Sequence, residues 1–186
     1  MRIPRLLIVL ACLGPLAACA TKPNLPTVAQ PELVSPYKIG SGDRLRIIVF
    51  GQTDLTNTYV VDQGGTIAMP LIGTVNARGR TVTDLKAAIA SRLRGGFVRN
   101  PDVSVEIDRY RPVFIMGEVN AAGQYPYVAG LTVQSAIAVA GGFTPRANLH
   151  CVRVTRNIQG TLVTRQLNLN DPILPGDTLT VRQRFF

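Results

Sequence analysis

One short phrase occurs twice in this chain of 186 residues, and it constrains the fold more than any other feature. The stretches SGDRLRIIVF (residues 41–50) and PGDTLTVRQRFF (residues 175–186) each join a Gly-Asp turn to a strand with alternating apolar residues. Glycine adopts backbone conformations that other residues avoid, and aspartate hydrogen-bonds to nearby backbone. Each phrase therefore predicts a tight turn before a half-buried strand, and we interpret Asp43 and Asp177 as turn-forming rather than catalytic residues.

The rest of the sequence predicts two small α+β modules, residues 37–110 and residues 111–186. Hydrophobic residues make up 46% of the chain and charged residues 17%, which suits folded domains with cores. The 17 glycines and 13 prolines favour many turns and a β-rich fold over a helical bundle. A short helix packed across a small mixed sheet, resembling a β-grasp, is expected in the second module.

Local signals place the elements of each module. In the first module, Gly64-Gly65 predicts a hairpin, and Thr81 and Gly95 predict the start and end of a helix. In the second module, Thr132 and Gly141 bound a shorter helix, which follows one strand and precedes three others.

The first 18 residues have the order of a signal peptide: basic residues, an apolar run and a small-residue exit. The exit Leu16-Ala17-Ala18-Cys19 matches the bacterial lipobox, so we expect cleavage before Cys19 and a lipid on its sulfur. The alternative is an ordinary signal peptide that is cleaved after Ala18, with an incidental cysteine. By resemblance to Gram-negative sorting rules, Ala20 directs a lipoprotein to the outer membrane, where several acyl chains give stable anchoring.

A proline-rich segment, residues 19–36, follows the predicted cleavage site and should be an extended tether. Cys12 leaves with the signal peptide and Cys19 is consumed by the lipid, so Cys151 has no cysteine to pair with. We expect Cys151 to be a buried structural residue rather than a nucleophile.

The formal charge of +9 does not point to nucleic acid. Without Arg2 and Arg5 the chain has 18 basic residues against 11 acidic ones, a charge of +7. These residues are scattered, and no basic helix stripe, RNP-like aromatic phrase or zinc-finger spacing occurs. We expect no nucleic-acid partner, and a weak attraction for anionic lipid headgroups or an acidic polymer explains the charge at least as well.

Catalytic signals are missing. The chain has one histidine, His150, and no second residue at metal-ligand spacing from it. Neither a Gly-x-Ser-x-Gly motif, a Walker A phrase nor an HExxH motif occurs. The neighbouring acids Glu106 and Asp108 are read as solvated strand residues. The sequence therefore predicts a protein that is not an enzyme and binds no cofactor or metal.

Both modules resemble known domains. Residues 114–148 resemble the SLBB (soluble-ligand-binding β-grasp) repeat at Gly117-Glu118-Val119, Gly123, Tyr125-Pro126, Leu131-Thr132-Val133 and Ala140-Gly141-Gly142-Phe143. Residues 37–93 resemble the polysaccharide-export domain at Tyr37, Gly42-Asp43, Val61-Asp62, Gly65-Thr66-Ile67, Pro70-Leu71-Ile72-Gly73 and Gly79. This order behind a lipobox is similar to that of Wza-type outer-membrane polysaccharide export lipoproteins.

The resemblance implies a periplasmic ring of identical subunits that is held to the outer membrane by lipid and conducts capsular or extracellular polysaccharide. It also implies an inner-membrane polysaccharide copolymerase as a partner. The alternative function is that of a monomeric lipoprotein that binds a soluble saccharide or another small ligand through its β-grasp module.

In Wza-type exporters, an amphipathic helix after the final strand crosses the outer membrane. Here no mature segment has the apolar run of about 20 residues that a spanning helix requires. We therefore expect the ring to lie beneath the outer membrane, as in the short members of the family, with a separate outer-membrane β-barrel as a further partner. The terminal Phe185-Phe186 pair either lies in the headgroup layer or against that barrel, or is a frayed end.

Overall fold

The computed structural model describes residues 36–158 and 160–184. Ten strands and two α-helices occur in this part of the chain. The first module contains β1 (Arg44–Val49), β2 (Asn57–Val60), β3 (Thr66–Met69), β4 (Gly73–Asn76), α1 (Val82–Arg94) and β5 (Val103–Arg109). The second contains β6 (Val113–Gly117), β7 (Gly123–Tyr125), α2 (Val133–Val139), β8 (Val152–Ile158), β9 (Thr161–Leu167) and β10 (Thr178–Val181). The predicted α+β class is confirmed.

The first module is built around β1, which pairs antiparallel with β2 on one side and with β5 on the other. Alternation along β1 buries Leu45, Ile47 and Val49 on one face, as the repeated phrase predicts. Helix α1 packs its buried residues Leu85, Ile89 and Leu93 into the same core. Strands β3 and β4 add Ile67, Met69 and Val75, so the core of this module lies between one sheet face, α1 and these two strands.

Both helices begin and end where local chemistry predicts. Thr81 caps α1 in a capping box with Asp84, and Gly95 is its C-cap. Thr132 caps α2 in a second capping box that Ser135 completes. Helix α2 ends at Val139 with Ala140 as its C-cap, and Gly141 follows with a φ of 79°, a conformation that glycine adopts without strain.

The hairpin predicted at Gly64-Gly65 is wrong: the chain turns there, but the strands on either side of the turn do not pair with each other. Gly65 has a φ of 83°, and the Asp62 N–H donates to the Thr66 carbonyl across the turn at 2.9 Å. Beyond this bond β2 stays on β1, whereas β3 pairs with β4 in a sheet of their own. The Gly65 carbonyl accepts from the N–H groups of Ala77 and Arg78, which holds the end of β4 beside the start of β3.

The second module is a five-stranded mixed sheet in the order β7-β6-β10-β8-β9. Strands β6 and β10 are parallel, and the other pairs are antiparallel. The short strand β7 pairs with β6, so two strands precede α2 where the sequence predicted one. One sheet face packs against the buried α2 residues Val133, Ala136 and Ile137.

Each module has its own hydrophobic core. The first cluster runs from Ile39 to Val105, and the second from Val113 to Val181. Within residues 36–158 and 160–184, no helix has the length and apolar character needed to cross a membrane.

Candidate functional site: the junction between the modules

The two Gly-Asp phrases form the same turn in both modules. Gly42 and Gly176 have φ values of 91° and 83°, which favour glycine. In each turn the Asp side chain accepts a hydrogen bond from the N–H three residues earlier, which is Gly40 for Asp43 and Leu174 for Asp177, both at 2.8 Å. The predicted turn-forming role of both aspartates is therefore confirmed.

Both aspartates are also fully buried, and each is paired with an arginine. Arg156 on β8 binds Asp177 through two hydrogen bonds, from Nε at 2.8 Å and from Nη2 at 2.7 Å. This two-point geometry is the strongest form of an arginine–carboxylate contact. A buried carboxylate without a cation is costly, so each arginine is required by the burial of its aspartate.

Arg111 differs from Arg156 because it joins the two modules. Its backbone N–H donates to Asp43 Oδ1 at 3.0 Å, and its side-chain Nη1 lies 3.3 Å from Asp43 Oδ2. Its Nε donates to the carbonyl of Pro175, in the Gly-Asp turn of the second module, at 2.9 Å. One side chain therefore contacts the two copies of the repeated phrase.

Glycines make room for this side chain. A Cβ at Gly40 would overlap the Arg111 guanidinium, and a Cβ at Gly176 would lie 2.6 Å from Arg111 Nε. Both glycines belong to the turns that Arg111 connects. At Gly176 the close approach adds to a positive φ of 83°, whereas at Gly40 the close approach alone favours glycine.

Three tyrosines extend the junction. The Tyr37 hydroxyl donates to Asp43 Oδ2 at 2.6 Å and accepts from Arg111 Nη1 at 3.0 Å. The rings of Tyr37 and Tyr110 meet edge to face at 4.9 Å, and those of Tyr110 and Tyr127 at 5.3 Å. Burial raises the pKa of Tyr37 far above its usual value, and the hydrogen bond to Asp43 and the charge of Asp43 raise it further. Burial also raises the pKa of Tyr127.

A surface cleft of about 510 Å³ lies beside the junction in the first module. Tyr37 and Tyr110 form one wall, and residues from the start of α1 and from β5 form the others. Pro36, where the described residues begin, also borders it. The junction itself offers no free acid or base, because Asp43 and Asp177 are buried and bound on both oxygens.

The other predicted positions are separate from the junction. Cys19 and residues 19–35 of the tether lie outside the described residues. His150 is exposed, and the described residues contain no cluster of potential metal ligands. The expectation of a buried Cys151 is wrong: it is partly exposed, because the alternation of β8 turns Val152 and Val154 inward and leaves Cys151 on the other side.

Sequence reasoning missed Arg111 and Arg156 as partners of the two aspartates. Both lie far from their aspartates in sequence, 68 residues for Asp43 and 21 for Asp177. A signal was available, because an aspartate in a tight turn before a buried strand is drawn into the core and then needs a cation. The sequence did not show which of its many arginines would supply it.

Gly117, in the Gly-Glu-Val stretch, is a further position where a neighbouring atom leaves no room for a Cβ. It ends β6 with a φ of 92°, and a Cβ there would overlap the carbonyl oxygen of Val181 on the parallel strand β10. The neighbouring Glu118 accepts from the Thr144 hydroxyl and lies 3.6 Å from Arg146. These contacts tie the end of β6 to the segment that follows α2.

Comparison with known proteins assigns both modules. A family model described as "Polysaccharide biosynthesis/export protein" matches residues 31–108, and an SLBB domain model matches residues 111–181. The order predicted from the sequence is confirmed. The chain thus carries an export domain followed by an SLBB domain, and this combination supports a Wza-type polysaccharide export protein.

Curated relatives carry names of the same kind. The chain is 28% identical over 208 residues to "EPS I polysaccharide export outer membrane protein EpsA" of Ralstonia nicotianae, covering 94% of this chain and 51% of the relative. It is 31% identical over 118 residues to "Exopolysaccharide production protein ExoF" of Rhizobium meliloti, covering 57% of this chain and 28% of the relative. For "Polysialic acid transport protein KpsD" of Escherichia coli the identity is 25% over 142 residues, which cover 75% of this chain and 25% of the relative. The chain thus spans between a quarter and about half of these relatives.

Proposed function

We propose that this protein is a component of a polysaccharide export apparatus, in which it forms a ring that conducts capsular or extracellular polysaccharide to the cell surface. The observation that carries the proposal is the order of the two domain matches, an export domain followed directly by an SLBB domain. The names of the relatives refer to polysaccharide export, production and transport, which supports the same role. The protein makes and breaks no bond in this role.

The junction suits a subunit of a closed ring. Ring closure requires every subunit to present its contact surfaces at the same fixed angle. Two modules joined by a loose linker would not satisfy this requirement, since domains with small polar interfaces move relative to each other. The Arg111 contacts to both Gly-Asp turns and the row of tyrosines hold the described modules together, and this supports the ring.

We further propose that a lipid on Cys19 anchors the ring at the periplasmic face of the outer membrane, with residues 19–36 as the tether. The lipobox is the basis for the anchor, and the name of EpsA refers to the outer membrane. The partners in this proposal are further copies of this chain, an inner-membrane polysaccharide copolymerase below the ring, and the polysaccharide itself.

The test is deletion of the gene in a strain that secretes polysaccharide, followed by complementation with the full chain. We expect surface polysaccharide to disappear in the deletion strain and to return on complementation. The mass of the purified lipoprotein in detergent should be that of a large closed oligomer. A monomer that binds a soluble saccharide, in a strain with unchanged surface polysaccharide, would instead support the alternative binding function and contradict the proposal.

A further inference from the structure

The sheet of the second module has a second face that is open to solvent. Along β6, Val113 and Ile115 point toward α2 and are buried, whereas Phe114 and Met116 are 40% and 45% exposed on the opposite side. Strand pairing extends this side across the sheet. We call it the open face and define it by Phe114, Met116, Thr178, Thr180, Arg153 and Gln166.

The open face carries an ordered row of different chemical groups. The strand registers place Thr180 between Met116 on one side and Arg153 on the other, and Gln166 lies beyond Arg153. Adjacent strands are about 4.8 Å apart, so Met116 and Arg153 are separated by about 10 Å. An apolar group, a hydroxyl, a cation and an amide therefore follow one another along a single line.

The row ends in a pocket of about 120 Å³. Arg153, Arg182, Gln166 and Asn148 contribute two guanidinium groups and two amides to its lining, and Cys151 and Gln183 complete it. A water molecule occupies about 30 Å³ of liquid, so this volume accommodates a carboxylate and some water. The lining contains donors for hydrogen bonds to an anion and no acidic side chain.

The positive charge of this pocket is not balanced within the described residues. The ion pairs found there involve Arg44, Arg111, Arg146 and Arg156, and neither Arg153 nor Arg182 belongs to one. The nearby Glu118 is occupied by Thr144 and Arg146. The pocket is therefore complementary in charge to an anionic ligand.

We propose that the open face binds a segment of acidic polysaccharide. Arg153 and Arg182 bind the carboxylate of a uronic acid, because guanidinium groups match carboxylates in geometry and charge. The hydroxyl of Thr180 and the amide of Gln166 bond to sugar hydroxyls, and Met116 and Phe114 pack against the apolar C–H face of a sugar ring. The 10 Å between cation and apolar side chain (about two strand spacings) selects an oligosaccharide over a single sugar. This inference rests on the proposed export function and adds the substrate class and the binding surface.

The experiment measures binding of tetragalacturonate, an acidic oligosaccharide, and of neutral cellotetraose to the full chain in detergent by calorimetry. We expect the acidic oligosaccharide to bind more tightly than the neutral one. The variant Arg153→Gln/Arg182→Gln should weaken tetragalacturonate binding tenfold or more and leave cellotetraose binding unchanged. Met116→Ala should weaken the binding of both oligosaccharides.

Arg165→Gln is the matched control. Arg165 lies on the same hairpin and is exposed, but it pairs with the inward-facing Val154 and so lies on the other side of the sheet. This variant should bind as the wild type does. Equal losses for Arg165→Gln and the double variant would mean attraction to net charge only, and that result would overturn the proposal, as would no measurable binding by the wild type.

Two further measurements separate this inference from the proposed function. In a strain with an acidic polymer, the double variant should reduce surface polysaccharide while the mass of the oligomer stays unchanged. Loss of the oligomer in the double variant would identify the open face as a contact between copies and would overturn saccharide binding. If deletion of the gene stops export but the double variant binds and exports normally, this inference fails and the export function stands.

Discussion

Asp43 and Asp177 occupy the same position in two different modules, and each is neutralised by an arginine from a different place. Both end a Gly-Asp turn, both are fully buried, and both accept from the backbone three residues earlier. Asp177 is paired with Arg156, which lies in the sheet of the same module, whereas Asp43 is paired with Arg111, which lies at the start of the other module. The repeated phrase thus stabilises one module internally and connects the other to its neighbour.

The first prediction concerns Arg111→Ala, which leaves the buried Asp43 carboxylate without its cation. Loss of one partner of a buried ion pair costs about 3–5 kcal/mol, and we expect the lower end, about 3 kcal/mol, because the Arg111 side chain is 26% exposed. The free energy of unfolding, from urea titration followed by circular dichroism, measures the change.

The exposed neighbour Arg109 provides the control for that measurement, since Arg109→Ala should change stability by no more than about 0.5 kcal/mol. Adding Asp43→Asn to Arg111→Ala should recover part of the loss, because the unpaired charge is removed. Equal stability of the Arg109→Ala and Arg111→Ala variants would show that the junction contributes nothing to folding.

The second prediction separates two reasons why a position requires glycine: a positive φ, and a neighbouring atom that leaves no room for a Cβ. Gly117 and Gly130 have similar φ values, 92° and 85°, but only Gly117 has a backbone atom, the Val181 oxygen, where a Cβ would be. Gly130→Ala should cost about 1–3 kcal/mol through backbone strain alone. Gly117→Ala should cost more, because β6 and β10 must also separate. Thermal unfolding of the two variants compares them, and similar melting temperatures would contradict the close approach.

Local signals in the sequence were sufficient for the helices. Thr81 and Thr132 were predicted as caps, and both are, because a capping hydrogen bond spans only three residues. The strand order could not be predicted in the same way. The pairing of β3 with β4 rather than β2 depends on contacts of Gly65 with residues 12 and 13 positions later, which no short pattern contains.

Only the Gly-Asp turns of the candidate site were predicted from the sequence, and their arginine partners were not. The turn at Asp43 was visible in the sequence, but the partner Arg111 is 68 residues away, and no short pattern links the two residues. The open face was equally hidden, since its row of residues comes from four strands that the sequence does not order. Cys151 shows the same limit: an alternating strand was recognised, but which side faces the core was assigned wrongly.

The third prediction tests the anchor. Cys19→Ser removes the sulfur to which a diacylglycerol would attach, so palmitate labelling should disappear and an unprocessed precursor should accumulate. Cys151→Ser is the control, because it removes the cysteine near β8 and leaves the lipobox intact. Its labelling and processing should match those of the wild type. Unchanged labelling of the Cys19→Ser variant would exclude this residue as the lipid site.

The last prediction uses the hydroxyl of Tyr37. Its pKa is raised above the ordinary value of 10.0, because the partial burial of the side chain disfavours the charged form and because its O–H donates to Asp43. The folded state therefore holds this proton more tightly than the unfolded state does. The resulting stability is fully present below pH 10 and is lost as the pH rises above it.

Urea unfolding at pH 9 and at pH 11 should show this loss in the wild type and a smaller one in Tyr37→Phe. One proton corresponds to about 1.4 kcal/mol per pH unit, and partial exposure of the ring reduces the expected difference to about 1 kcal/mol. Tyr59 and Tyr127 also have a raised pKa, so both proteins should lose some stability. At pH 9 the variant should be less stable by about 1 kcal/mol, because the hydrogen bond to Asp43 is missing. If the two proteins lose the same stability between pH 9 and pH 11, the Tyr37 phenol is not held by Asp43 in solution.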